Sequence, residues 1–374
     1  MKQGLYYLAI FSLVALLTKC ASTGIPSREK GLDEVALASV IDAYMEDQVA
    51  KNGFSGTVLV AKGMTPVYGR SFGYADRNTN RPNTLDTPFN LGSMSKIFTA
   101  VAVMQLLEQG KLNLTDTIGV HLSNYPNDRI SRLVTIRHLL THRSGISDYF
   151  HSPRYQRNKN FLGDQQDYLD TFADFGLSFA PNRRYSYSNG GPVILGRIVE
   201  TVTGLSYYDY IRKNIYQAAN MANSDHFTKY ETASNKAIGY LDNSGTSNET
   251  ILAHIGSAAW GGYASANDLL KYTNALKLNT LIQADTLQLM LEPVLDRGPG
   301  CLNAYQHIIC MANGHRYYGE RAYYMPIEAQ GGSANYFWFK DRDIVVIVLS
   351  NSSPRVGPLS TVNKIVQWVA YSKL

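Results

Sequence analysis

Leu91-Gly92-Ser93-Met94-Ser95-Lys96 runs directly into Ile97-Phe98-Thr99-Ala100-Val101-Ala102-Val103-Met104-Gln105-Leu106-Leu107. Ile97, Ala100, Val101, Met104 and Leu107 recur at helical spacing and Gly110 ends the run, so the pattern predicts a buried helix over Ser95 to Leu107. Residues three apart on a helix share a face, which brings the ammonium of Lys96 within reach of the hydroxyl of Ser93. The amino terminus of that helix also supplies unpaired backbone N–H groups where an oxyanion could be stabilised. Ser-x-x-Lys alone is a weak signal, because Ser27-Arg28-Glu29-Lys30 matches it equally well in a polar segment. Only Ser93 heads a strongly apolar helix that must be buried.

On the amino-terminal side, Gly56 to Ala61 and Pro66 to Tyr74 are short β-branched or aromatic runs separated by Lys62-Gly63-Met64-Thr65, which reads as a hairpin. At the carboxyl end, Asn335 to Phe339 and Ile344 to Leu349 read as two more strands joined at Lys340-Asp341-Arg342-Asp343, followed by an amphipathic helix over Thr361 to Ser372. Between about 111 and 290, helical patterns such as Val193 to Val202 and Ala266 to Leu276 alternate with long polar loops. Strands at both ends with a helical middle imply an α+β fold in which the termini share one sheet and the centre forms a helical lobe. The crevice between the two is the natural active site.

A nucleophilic serine needs a base, and a lysine serves only if burial or a neighbouring positive charge lowers its pKa. A second titratable group is sought in three Tyr-x-Asn sequences, Tyr125-Pro126-Asn127, Tyr187-Ser188-Asn189 and Tyr272-Thr273-Asn274. The first contains a proline and reads as a turn; the third falls within a helix. Tyr187 follows Pro181 in a loop and precedes Gly190-Gly191 and a helix, so its side chain can project into a cleft.

Ser93-x-x-Lys96 followed by Tyr187-Ser188-Asn189 resembles the first two motifs of the class C β-lactamase and penicillin-binding-protein family of serine hydrolases. Leu139-Leu140-Thr141-His142-Arg143-Ser144-Gly145-Ile146, Gly261-Gly262-Tyr263-Ala264-Ser265 and Asn267-Asp268-Leu269 resemble further family segments, so the likeness runs from about residue 35 to the end. It implies a mostly antiparallel sheet flanked by helices with an all-helical lobe, as in β-lactamases and transpeptidases. It also implies an acyl-enzyme on Ser93, a proton network poised by Lys96, Tyr187 as base and then acid, and Asn189 bonded to the substrate amide or the lysine. No cofactor and no metal are implied.

The family's third motif, Lys-Thr-Gly or His-x-Gly, aligns with Gln330-Gly331-Gly332. Gly332 permits close backbone approach and the N–H of Ser333 matches the second oxyanion donor. Gln330 cannot carry a positive charge. The resemblance implies hydrolysis of an ester, amide or peptide bond, of the esterase or D-alanyl-D-alanine carboxypeptidase type, and the uncharged Gln330 implies weaker activity on carboxylate-bearing penicillins and peptide carboxyl termini than on esters or neutral amides; a class C-like β-lactamase is the alternative and a degenerate envelope binding module a rival of another class. Arg143, Arg183 and Arg321 are candidates to restore the missing charge. The other common hydrolase signature, Gly-x-Ser-x-Gly, is absent.

The amino terminus has an apolar run from Leu5 to Leu17 followed by Ala21-Ser22-Thr23-Gly24, which reads as a secretory signal over residues 1–24 and leaves 25–374 as the hydrolase domain. Leu17-Thr18-Lys19-Cys20 partly resembles a lipoprotein signal, giving lipid attachment at Cys20 as the alternative, although Lys19 takes the place of a small residue. The expected location is thus the periplasm or cell envelope. Cys301 and Cys310, nine apart, suit a local disulfide there, with two buried thiols as the bland alternative. His138 and His142 have the spacing of two ligands on a helix, but no third ligand follows. A net charge of +5 with scattered lysines and arginines offers no nucleic-acid stripe, so a small molecule or a peptidoglycan-like peptide is the expected partner.

Overall fold

The computed structural model describes residues 31–231, 235–242, 244–296, 301–323, 331–352 and 358–374. The expected signal with Cys20, and Gln330 in the third motif, fall outside them.

Eight strands form one sheet: β1 (Gly56–Lys62), β2 (Thr65–Phe72), β3 (Leu295–Asp296), β4 (Cys301–Asn303), β5 (Ile308–Ala312), β6 (His315–Tyr323), β7 (Ser333–Phe339) and β8 (Ile344–Ser350). Their order is β2-β1-β8-β7-β6-β5-β4-β3, and every neighbouring pair is antiparallel. Chain ends therefore meet at the β1–β8 pair, in the register Val58↔Val348 and Val60↔Val346. The run Ile344-Val345-Val346-Ile347-Val348-Leu349 is buried throughout because β8 is central and both of its faces are covered.

Strand periodicity sorts the side chains into two cores. Val58, Val60, Val346 and Val348 pack with Leu37 and Ile41 of α1 (Glu34–Asn52), while Leu59, Val345, Ile347 and Leu349 pack on the opposite face with Ile97 and Phe98 of α2 (Lys96–Glu108). Two further helices, α3 (Gly190–Thr203) and α4 (Ala266–Lys277), extend the second core, and α5 (Pro358–Tyr371) joins the first through Ile365, Trp368 and Val369. Every residue of α2 from Lys96 to Leu106 is buried, as befits a helix apolar on all sides. Truncating one of its large residues, such as Phe98→Ala, costs about 3–5 kcal/mol.

Expected and observed elements agree closely for the first hairpin, α2, α4 and the β7–β8 pair. The sequence reading did not assign α1 or the meander β4-β5-β6. Cys301 and Cys310 form a disulfide across directly paired positions of β4 and β5. Among the described residues no helix is long and apolar enough to cross a membrane.

Candidate active site

Ser93 lies in a single turn of 3-10 helix, Gly92–Ser95, that feeds into α2. Gly92 has φ of 50°, a left-handed conformation that only glycine adopts cheaply, and its N–H is held by Asn90 Oδ1 at 2.8 Å. The turn is clamped from the side by the Trp260-Gly261-Gly262 segment: Leu91 N–H donates to the Gly262 carbonyl at 2.8 Å, and Gly262 N–H donates to Ser95 Oγ at 2.9 Å. Ser95 in turn donates to the Gly92 carbonyl at 2.8 Å. Ser93 thus sits on a turn pinned at both ends, which fixes its orientation.

Lys96 is only 2% exposed, and its ammonium nitrogen has three acceptors: Tyr187 Oη at 2.6 Å, Asn189 Oδ1 at 2.9 Å and the Ala259 carbonyl at 2.5 Å. Tyr187 Oη donates to Ser93 Oγ at 2.7 Å. The hydroxyl, amine and phenol expected from the sequence thus converge in one chain of hydrogen bonds, Lys96 to Tyr187 to Ser93. Ser93 is half-buried and Tyr187 is 39% exposed, so the reacting end opens to solvent while the amine is sealed behind it.

Burial sets the electrostatics. Desolvation lowers the Lys96 pKa to about 7, against the opposing attraction of Glu320 and Asp148. Desolvation of the phenol raises Tyr187 well above the ordinary tyrosine value, only partly offset by its hydrogen bond with Ser93. At neutral pH the arrangement therefore holds a protonated phenol between a serine hydroxyl and an amine that can shed its proton.

Several residues near this cluster were given no part in it by the sequence reading. The His142 ring packs against the Tyr187 ring, tilted by 32° with centroids 4.7 Å apart, and so braces the phenol, a different task from metal binding. His138 instead completes a capping box with Thr135. Asp148 accepts from the backbone N–H of Asn189 at 3.1 Å and from its Nδ2 at 2.9 Å, orienting the amide oxygen toward Lys96. The His142–Tyr187 and Asp148–Asn189 contacts join segments far apart in the chain and carry no short-range signature. The other two Tyr-x-Asn tyrosines, Tyr125 and Tyr272, are buried in the core.

The third-motif residues are placed differently. Gly331, at φ 106°, packs against Gly239 and Asn248, and with Gly332 it lines a recess shared with Phe89 and Asn90. Ser333 opens β7 opposite Ser350, its hydroxyl buried and unpartnered. Among the described residues no recorded hydrogen bond links Gly332 or Ser333 to the Ser93 cluster, although β6 and β7 both run beside the Gly92–Ser95 turn. Of the arginines considered as a replacement charge, Arg143 donates to the Asn182 carbonyl at 2.8 Å and Arg183 is exposed; the side chain of Arg321 lies outside the described residues.

The chain is 39% identical over 173 residues to Penicillin-binding protein 4* of Bacillus subtilis (strain 168), a match covering 46% of this chain and 38% of that protein. A match to the Putative penicillin-binding protein PbpX of the same organism is 28% identical and covers 64% of this chain and 59% of that one. The chain thus spans less than two thirds of the length of these curated relatives. Among solved structures, a penicillin binding protein from Bacillus halodurans superposes with a TM-score of 0.77 at 30% identity, covering 88% of this chain and 98% of that one. The Beta-lactamase family profile matches residues 38–366, most of the sequence, and the chain accordingly belongs to the Beta-lactamase family.

Proposed function

We propose that this protein is a serine hydrolase that forms an acyl-enzyme on Ser93 and cleaves an ester, amide or peptide bond. The observation that carries the reading is the unbroken hydrogen-bonded chain from Lys96 through Tyr187 to Ser93, at 2.6 and 2.7 Å. In acylation, Ser93 Oγ bonds to the carbonyl carbon as its proton passes to Tyr187 Oη and the phenol proton passes to neutral Lys96. The lowered Lys96 pKa leaves much of the amine neutral near pH 7 and so free to accept, and the raised Tyr187 pKa keeps the phenol protonated at rest, so that it gives up one proton only as it takes another. Collapse of the tetrahedral intermediate breaks the bond to the leaving group, which takes the proton back through Tyr187. Water then repeats the sequence on the acyl-enzyme and regenerates the Ser93 hydroxyl.

Asn189, held by Asp148, keeps one acceptor on Lys96 and fixes its direction. The backbone N–H of Ser93, with that of Ser333 as its expected partner, is assigned to the oxyanion. Export to the cell envelope is supported by the amino-terminal pattern and by the Cys301–Cys310 disulfide. With no basic residue in the third motif, the substrates are esters or neutral amides more than carboxylate-bearing β-lactams. Steady-state turnover of a short p-nitrophenyl ester and of nitrocefin tests this: faster ester cleavage is expected, and faster nitrocefin cleavage overturns it.

A further inference from the structure

Strand β6 runs beside the Gly92–Ser95 turn, and its register decides which of its side chains look toward Ser93. Glu320 pairs directly with Tyr336 of β7, and paired residues project to the same face of a sheet. Tyr336 belongs to the core that contains Met94, Ile97 and Ala334, which is the core beneath the candidate site; Tyr318, two residues before Glu320, packs against that same core. Tyr317, one residue out of phase, belongs to the opposite core. Glu320 is therefore on the site face of β6.

We propose that Glu320 is a specificity-determining residue of the Ser93 centre, favouring substrates with an ammonium group close to the scissile carbonyl over neutral ones and rejecting those with a carboxylate there. The inference rests on the hydrolase reading above and narrows its substrate class. Its charge reaches the reacting groups, for Glu320 is the foremost charged neighbour acting on both Lys96 and Tyr187, ahead of Asp148. Asp148, tied to the Asn189 that accepts from Lys96, adds a second charge of the same sign. The preference depends on the charge that Glu320 brings to β6, whatever else its carboxylate touches. For charges roughly 7 Å apart at an effective dielectric near 40, the Coulomb energy is worth on the order of a tenfold rate difference per unit charge.

Three thioesters of nearly equal size separate the possibilities: acetylthiocholine, its uncharged carbon isostere 3,3-dimethylbutyl thioacetate, and S-acetyl-3-mercaptopropionate. Released thiol gives kcat/KM for each, and fluorophosphonate labelling of Ser93 is measured alongside. The cationic ester is expected to exceed the neutral one by about tenfold and the anionic one by more. Glu320→Gln should shrink the cation-to-neutral ratio toward one, and Glu320→Lys should invert it. Molar salt applied to the unaltered protein should compress the same ratio, which keeps the test independent of how the variants fold. Equal rates for all three esters with Ser93 still labelled overturn the role of Glu320; absence of labelling overturns the hydrolase reading itself.

Discussion

Replacing Tyr187 with phenylalanine removes one oxygen atom from the centre of the site. That oxygen links Lys96 to Ser93, accepting from the amine at 2.6 Å and donating to the hydroxyl at 2.7 Å. Without it the serine proton has no direct path to the base, and the loss expected is that of a positioned general acid–base group, roughly hundred- to ten-thousand-fold in acylation rate. In free-energy terms that is about 3–5 kcal/mol of barrier. The fold should tolerate the change: the ring keeps its stacking on His142, and Lys96 keeps Asn189 and the Ala259 carbonyl as acceptors. The stability cost should thus be about 1 kcal/mol, the net worth of an ordinary hydrogen bond. Second-order rate constants for fluorophosphonate labelling measure the kinetic term, and urea unfolding followed by circular dichroism measures the stability term. A folded Tyr187→Phe protein that labels within threefold of the unaltered protein would refute the relay.

Other outcomes follow from the same geometry. Because burial lowers Lys96 to about 7 and the amine must be neutral to accept a proton, acylation should rise with pH through about 7 and then level; Lys96→Arg, always protonated, should abolish it. A profile flat between about pH 5.5 and about pH 8.5 would remove Lys96 as the final acceptor. The Cys301–Cys310 bond closes a short loop of sequence separation 9, so replacing both cysteines with alanine should lower unfolding stability by about 2–3 kcal/mol while Ser93 labelling persists. Urea unfolding beside the labelling assay checks both halves of that statement.

Residues whose roles are encoded locally were readable from the sequence. Ser93 and Lys96 are one helical step apart, and Tyr187 stands out from Tyr125 and Tyr272 by its loop context, so short patterns sufficed for them. The central strand β8 was equally plain, being apolar at every position from Ile344 to Leu349. What escaped reading is made by tertiary convergence: the Ala259 carbonyl meets Lys96 across 163 positions, His142 was noticed for its spacing from His138 and not for its contact with Tyr187, and Asp148 is unremarkable in its own segment.

The meander β4-β5-β6 was missed for a different reason. Asn313-Gly314 joins β5 to β6 with φ of 47° and 76°, the left-handed pair that a two-residue hairpin demands, and that dipeptide was a usable signal. The residue that now brings charge to the site, Glu320, lies on β6, one of those unassigned strands.

The central claim, an acyl-enzyme on Ser93, is tested most directly by peptide-mapping mass spectrometry after incubation with an activated ester and acid quenching. The account predicts an acyl adduct on the tryptic peptide that ends at Lys96, localised to Ser93 by fragmentation and absent from Ser93→Ala. An adduct on any other residue, or ester turnover undiminished in Ser93→Ala, would contradict it.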